Sequence, residues 1–371
     1  MNNNKDSFLK RLEYSFKNIL ESIIFKDIKS VLIEKPIERF SFFEDSKILL
    51  IRNDRIGDLL VSSPFISTLR HYYPEVTIDI LLSEKNIAAK RVSDPYISNT
   101  FVYSKKLSKL ISLIYVLRKR KYDLVIDLLD NPSTTNAFII KFINPLYSLG
   151  FKKYKSNKYN LEVVLPSKLK THIVDRINQL LLPFDIEPIS AQKRIEFNLT
   201  KEEINKAESL LGVKSKSYRI GINLAGSSNA KFWGLNNYSA FIEFVNENYS
   251  EYEVIVFYTK SNEELVAQMS TNVNFSRAPL TEDFNVYAAM IAQCDIILSP
   301  DTAAVHLAAA FNIPCIALYL FSGTKETGMP WTPYRSPSKC LKTGTDNLSN
   351  IPIEIVTESF EELIAEHNLY E

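Results

Sequence analysis

The sequence predicts an α/β fold of two doubly wound halves, and three observations carry the prediction. From Lys47 onward, short continuous apolar runs alternate with stretches of helical periodicity, the pattern of βαβ units in a parallel sheet covered on both faces. The same alternation restarts near Tyr218. Between the two sets, "FDIEPISAQ" and the polar "GVKSKS" interrupt it, so a linker is expected around 185–217. At 371 residues the chain is long enough for two such units, and 46% hydrophobic with 23% charged residues is an ordinary globular composition.

Taken in order, residues 8–32 place Phe8, Leu12, Phe16, Ile19, Ile23 and Ile28 at helical spacing among Lys and Arg. This predicts an amphipathic N-terminal extension, either packed on the domain that follows or docked on a membrane surface. "KILLIRND" then reads as a strand, "VSSPFISTLRHYYP" as a helix, "VTIDILLS" as a strand and "YDLVIDLLD" as another buried strand before the turn "NPS". The lysine-rich segment 151–170 has weaker periodicity and reads as loops or short strands. In the second set, "YRIGINLAG", "YEVIVFYT", "DIILSP" and "CIALYL" are strands, while "LNNYSAFIEFVNENY", "NEELVAQMS" and "VYAAMIAQC" are helices. "TESFEELIAEHN" closes the chain as an amphipathic helix.

Several classes are excluded. Cys294, Cys315 and Cys340 form no CxxC pair, so neither a disulfide framework nor a zinc site is expected. No apolar stretch reaches the roughly 18–20 residues of a spanning helix, and "MNNNKDSFLKRLEYSF" is too polar for a signal peptide, so a cytoplasmic protein is expected. The net charge of +1 conceals an asymmetry: residues 101–176 hold fifteen Lys/Arg against five Asp/Glu, whereas 240–301 holds ten acids and two bases. Either these are solvated faces, or the basic half meets an anionic partner such as a phosphorylated lipid or nucleic acid.

Three strand-to-helix corners concentrate chemistry, where open α/β sheets bind ligands. In "ILSPDTAAVHLAAAF" (297–311), Asp301 is placed to cap a helix starting at Thr302, whose free N–H groups and dipole suit an anion. Ala303 and Ala304 leave the backbone approachable, and His306 lies one turn in. In "INLAGSSNAKFW" (222–233), Gly226, Ser227, Ser228 and Lys231 suit a diphosphate, with Lys231 neutralising charge on a leaving group. In "RNDRIGDLLVSSP" (52–64), Gly57 permits a tight turn and Asp58 opens a helix, either as a simple cap or as a general base facing the phosphate site across a cleft.

The segments "LLIRNDRIGDLLVSSPFISTLR", "DLVIDLLDN", "INLAGSSNAKFWGLNNYSAFI" and "LSPDTAAVHLAAAFNIPCIALY", in this order and spacing, resemble the heptosyltransferases of glycosyltransferase family 9, which add ADP-activated heptose to the lipopolysaccharide inner core. The resemblance runs from about Lys47 to Val356. It implies a GT-B architecture, two Rossmann-like domains facing a central cleft, and inversion at the anomeric carbon without a metal or other cofactor. It also implies Asp58 as catalytic base with Lys231 assisting departure of the diphosphate, and Ser227, Ser228, Asp301, Thr302, Ala303, Ala304 and His306 around that group. Glu263 matches the position that holds the donor ribose.

The implied boundaries are an N-terminal extension (1–45), an acceptor domain (46–190), a linker region (191–217), a nucleotide-sugar domain (218–350) and a helical tail (351–371). The chain departs from the family pattern at Ala303, usually glycine, at Ala304, often proline, and at "LFSGT" (320–324). The expected partners are a nucleotide-sugar donor and a phosphorylated lipid-linked oligosaccharide acceptor, with possible peripheral contact at the cytoplasmic face of an anionic inner membrane and no nucleic acid. A GT-B transferase with another donor, a nucleotide-sugar 2-epimerase and a non-enzymatic sugar- or nucleotide-binding module are the competing readings. Asp58 together with Lys231 speaks against the last, since binding alone needs no base.

Overall fold

The computed structural model describes residues 28–40, 42–131, 133–152, 158–226, 228–269, 273–320 and 330–369. In the first half, β1 (Val31–Ile33), β2 (Lys47–Ile51), β3 (Thr77–Ser83), β4 (Asn99–Tyr103), β5 (Leu124–Asp127), β6 (Tyr147–Phe151) and β7 (Leu161–Val163) form one sheet ordered β1-β7-β6-β5-β2-β3-β4. In the second, β8 (Tyr218–Asn223), β9 (Tyr252–Phe257), β10 (Ser276–Arg277), β11 (Ile296–Pro300), β12 (Cys315–Tyr319) and β13 (Ser338–Lys342) are ordered β10-β9-β8-β11-β12-β13. All pairings within both sheets are parallel. The helices are α1 (Ile56–Leu60), α2 (Ser63–Tyr72), α3 (Leu107–Lys119), α4 (Thr134–Ile143), α5 (Ile173–Ile177) and α6 (Lys201–Leu211), then α7 (Leu235–Asn248), α8 (Glu263–Met269), α9 (Phe284–Ile291), α10 (Ala303–Phe311) and α11 (Ile353–His367).

The central strands read as unbroken apolar runs because both faces are covered. In β2, Ile48 and Leu50 enter one core while Leu49 and Ile51 enter another on the opposite face. In the second sheet, Ile296 and Leu298 face the layer that contains α7 and α11, while Ile297 faces the other way. That other core is continuous across the molecule, from Ile48 and Leu59 to Ala304 and Ala317. The two halves therefore share apolar burial.

Both sheets reverse their winding at one point. β2 lies between β5 and β3, and β8 lies between β9 and β11. The chain leaving β2, β8 and β11 thus emerges at two topological switch points, where an open α/β sheet leaves a crevice.

Three expected boundaries need correction. The proposed extension does not stop short of the first domain: Val31–Ile33 pairs with Leu161–Val163 as an edge strand, and Ile33 and Phe40 are buried. Phe40 packs on Phe42, Tyr147 and Phe184 with ring centroids 5.2, 5.7 and 5.1 Å apart. Residues 1–27, which carry most of the predicted N-terminal helix, lie outside the described residues. The region 191–217 is not a bare linker, since Ala191, Ile195 and Phe197 are buried and α6 follows. Thr200 Oγ1 accepts from Glu203 N at 3.2 Å and Glu203 Oε2 from Thr200 N at 2.7 Å, a capping box that starts α6. Finally, the helical tail 351–371 forms the expected amphipathic helix but belongs to the second domain, because Val356, Phe360 and Leu363 of α11 are fully buried in that domain's core.

The packing of Phe40 gives a direct test. Phe40→Ala is expected to destabilise the protein by about 3 kcal/mol, read as a lowered urea midpoint. An unchanged midpoint would return residues 28–45 to a dispensable extension.

Candidate active site

The first switch point is organised by Arg52, which directly follows β2 and is completely buried. Its Nη1 donates to Leu128 O at the end of β5, and its Nε donates to Asp58 O, both at 2.8 Å. The same guanidinium lies 3.4 Å from Asp54 Oδ1 and 3.6 Å from Asp58 Oδ1. Asp58, in the first turn of α1, accepts through Oδ2 from Arg55 N at 3.1 Å. Asp58 is thus an end-of-helix acceptor and a cleft residue at once.

Asp54 was not anticipated. Its Oδ1 is buried without a hydrogen-bond partner. Burial above all, and then the neighbouring Asp58 charge, push its carboxyl up from 3.8 to about 7 against the pull of Arg52.

The second switch point brings two corners together. Asn223 Nδ2 at the end of β8 donates to Ser299 Oγ and Thr302 Oγ1, each at 3.0 Å, which ties β8 to the turn after β11. Thr302, not Asp301, is the N-cap of α10: its Oγ1 accepts from Ala304 N at 3.3 Å. Asp301 is occupied elsewhere, since Lys231 Nζ lies 2.6 Å from Asp301 Oδ2 and 3.0 Å from Asp301 O. Lys231 ends a 3-10 turn (Asn229–Lys231) that folds back so closely on Gly226 that a Cβ there would lie 3.0 Å from Lys231 O. Trp233, fully buried, anchors this loop by donating from Nε1 to Ile351 O at 2.9 Å.

A cleft of about 620 Å³ joins the two switch points, lined by Asp54, Gly57 and Asp58 from one half and Lys231, Thr302 and His306 from the other. Asp301, Ala303, Lys85, Asp130 and Trp331 also line it. Ala304 does not, being buried in the core, so only Ala303 presents a small side chain to the cavity. Ser228 and Glu263 are exposed and do not line it, although Ser228 opens the Lys231 turn and Glu263 opens α8 beyond β9. Ser227 and residues 321–324 of "LFSGT" lie outside the described residues.

His306 is buried, and its Nδ1 has no hydrogen-bond partner. Burial holds its imidazole down at about 4, with nearby His172 and Lys231 acting in the same direction and Asp301 opposing them. The ring is therefore neutral near pH 7. It also explains Gly57, whose backbone needs no left-handed conformation. A Cβ at Gly57 would stand 3.1 Å from His306 Cδ2, so glycine there makes room for the other half rather than for a turn.

A second bridge lies beside the cleft. His172 Nε2 is 2.8 Å from Thr332 O, Pro330 O accepts from Ile173 N at 2.8 Å, and Tyr334 OH donates to Asp175 Oδ1 at 2.6 Å. These contacts hold Trp331 over the cavity, with its ring 6.2 Å from His306. Among the described residues no group of three or more His, Cys, Asp or Glu side chains is placed to hold a metal ion.

Two Rossmann-like domains closing on one polar cleft define a GT-B type protein. Residues 110–348 match the family model for glycosyltransferase family 9 (heptosyltransferase), and the chain belongs to that family. It is a glycosyltransferase. Its relatives include lipopolysaccharide heptosyltransferase 3 of Escherichia coli K12, 26% identical over 341 residues that cover 84% of this chain and 96% of the relative. Similar solved structures include the family 9 glycosyl transferase of Veillonella parvula DSM 2008, with TM-score 0.74, 18% identity and coverage of 89% of this chain and 99% of that one. E. coli ADP-heptose lps heptosyltransferase II gives TM-score 0.68 at 19% identity, covering 87% and 99%.

The Asp54 environment predicts a specific pH dependence. The folded protein holds this proton more tightly than the unfolded chain, so the stability it contributes is full below pH 3.8 and is lost as the pH rises through about 7. Asp54→Asn mimics the protonated form at every pH. Its melting temperature should match wild type near pH 4 and exceed it near pH 8 by a few degrees, as an order of magnitude. A difference that does not change with pH would refute this account.

Proposed function

We propose that this glycosyltransferase moves a heptose from ADP-heptose to the inner core of a lipopolysaccharide, with inversion at the anomeric carbon and without a metal. The observation that carries the reading is the cleft itself. A carboxylate on one half, Asp58, and a lysine on the other, Lys231, reach the same cavity from opposite switch points. An inverting displacement needs a proton acceptor on one face of the sugar and a charge acceptor on the other.

In this mechanism Asp58 takes the proton of the acceptor hydroxyl as its oxygen bonds to the anomeric carbon. The bond from that carbon to the diphosphate breaks, and the electron pair leaves with the nucleotide. The Arg55 N–H and the Arg52 guanidinium hold the Asp58 carboxylate in place for that transfer. Lys231 stabilises the departing charge, with Thr302 and Ala303 at the start of α10 receiving the phosphates. His306, neutral and packed against Gly57, adds no charge of its own and offers a ring nitrogen to the same group. Ser227, Ser228 and Asp301 complete this donor corner, Ala304 only packs the core beneath it, and Glu263 takes the ribose. The basic region 101–176 meets acceptor phosphates, and its charge supports reading the enzyme as a peripheral protein of the cytoplasmic face of the inner membrane.

The direct test is mass-spectrometric product analysis with purified protein, ADP-heptose among a panel of nucleotide sugars, and a deacylated inner-core acceptor. A glycosylated acceptor is expected, at an undiminished rate in excess EDTA. Full loss in EDTA that magnesium restores would show that the diphosphate needs a metal here. Release of free sugar without acceptor would favour an epimerase.

Asp58→Asn separates base from cap. The Asn amide oxygen can still accept from Arg55 N at this third helical position but takes no proton, so turnover should fall by roughly 10²–10⁴ while nucleotide affinity by calorimetry holds. Near-normal transfer would return Asp58 to a structural role.

A further inference from the structure

Helix α3 buries one face and leaves the other unpartnered. Leu110, Leu113 and Leu117 pack into the core of the first half. On the outer side Leu107, Ile111 and Tyr115 are 70%, 60% and 59% exposed, and their spacing of four residues sets them in one line along the helix. Arg118 Nη1 donates to Phe142 O at 3.3 Å, which brings α4 and its exposed Phe142 beside that line. Large apolar side chains in a row, on two packed helices, are costly to keep in water.

Charge around the line is predominantly basic, with Glu84 near Lys109 as an exposed acid. Residues 105–121 contain seven Lys/Arg and no Asp/Glu. Arg120 is tied to the buried Asp79 at 2.8 Å, and Lys109 approaches Glu84 only to 3.9 Å. Lys105, Lys106, Arg118, Lys119 and Lys121 are exposed. Lys119 lies 4.4 Å over the Tyr115 ring, an ammonium at the edge of the apolar stripe.

We propose that the outer face of α3 docks the protein on an anionic membrane surface. An apolar stripe with a predominantly cationic border matches a layer that offers acyl chains beneath a plane of negative headgroups. A protein partner would need an apolar groove ringed by acids alone. The position agrees with the lipid-linked acceptor of the proposed function, on which the purpose of docking rests. A recess of about 240 Å³ runs from Asp54 to Tyr103 and Lys105, so the stripe begins at the rim of the catalytic cleft on the acceptor half.

The test is flotation of the purified full chain with vesicles of phosphatidylcholine alone and of phosphatidylcholine mixed with anionic phosphatidylglycerol. Wild type should float with the anionic vesicles and be released by salt. The double variant Ile111→Asp, Tyr115→Asp should lose at least about tenfold in partitioning, with its melting temperature and its nucleotide affinity by calorimetry unchanged. Lys109→Glu with Lys119→Glu, on exposed side chains, should lose binding to a similar degree and guards against misfolding of the first variant. Equal flotation of both variants and wild type would overturn the proposal, as would wild type that ignores anionic vesicles, which would give the face to a protein partner. Vesicle binding by a protein that transfers no heptose would defeat the proposed function and leave the docking face standing.

Discussion

The cleft depends on one buried cation. A guanidinium with no exposed surface is tolerated only when its donors are used and its charge is answered. Arg52 meets this in part: Nε and Nη1 donate to the carbonyls of Asp58 and Leu128, and the charge lies within 3.6 Å of the Asp54 and Asp58 carboxylates, while Nη2 has no hydrogen-bond partner. One side chain thereby fixes the distance between the ends of β2 and β5, the path of the loop 53–57 and the orientation of Asp58. It also creates an electrostatic conflict, because two carboxylates share one cation in a partly dry site. Asp54 resolves it by keeping its proton up to about pH 7.

The second constraint is that the halves touch through chemistry as well as apolar surface. Gly57 and His306 meet so closely that a methyl group on Gly57 would stand 3.1 Å from the ring, and buried Phe197, just before α6, packs its ring on Phe284 and Phe311. Arg91 in the first half also reaches Glu203 on α6 at 3.0 Å. His172 and Asp175 bind the backbone and Tyr334 on the far side of the cleft. With contacts on both flanks, the cavity has a set width, which a displacement between a base and a leaving group requires.

Much of this was legible in the sequence where a signal is local. Strands such as 47–51, 218–223 and 296–300 announce themselves as apolar runs, and the three corners follow from the strand-to-helix alternation. Other features depend on partners distant in sequence. Nothing near Arg52 reveals that Leu128 will accept its hydrogen bond, so Arg52 and Asp54 read only as the end of the strand "KILLIRND". Gly57 reads as a turn glycine until His306 is placed against it. Asp301 and Thr302 are equally good caps on paper, and only the approach of Lys231 decides between them. β1 is three residues long and paired to an equally short strand, too little for periodicity to detect. α6 is different, since its capping box at Thr200 and Glu203 was readable and its charged surface hid it.

The Lys231–Asp301 pair shows how the donor corner is prepared. A lysine left alone in a cleft next to buried groups would be desolvated without compensation, and its side chain would wander. Asp301 holds it at 2.6 Å, beside the N-terminus of α10, with little net charge in the corner. His306 adds none, because burial and the nearby lysine keep its ring neutral. The corner therefore carries its cation already oriented, and in the mechanism we propose an entering diphosphate would share Lys231 with Asp301 instead of ordering it. Stabilisation of this kind acts most strongly when negative charge grows on the leaving oxygen, because the geometry is set before the charge develops.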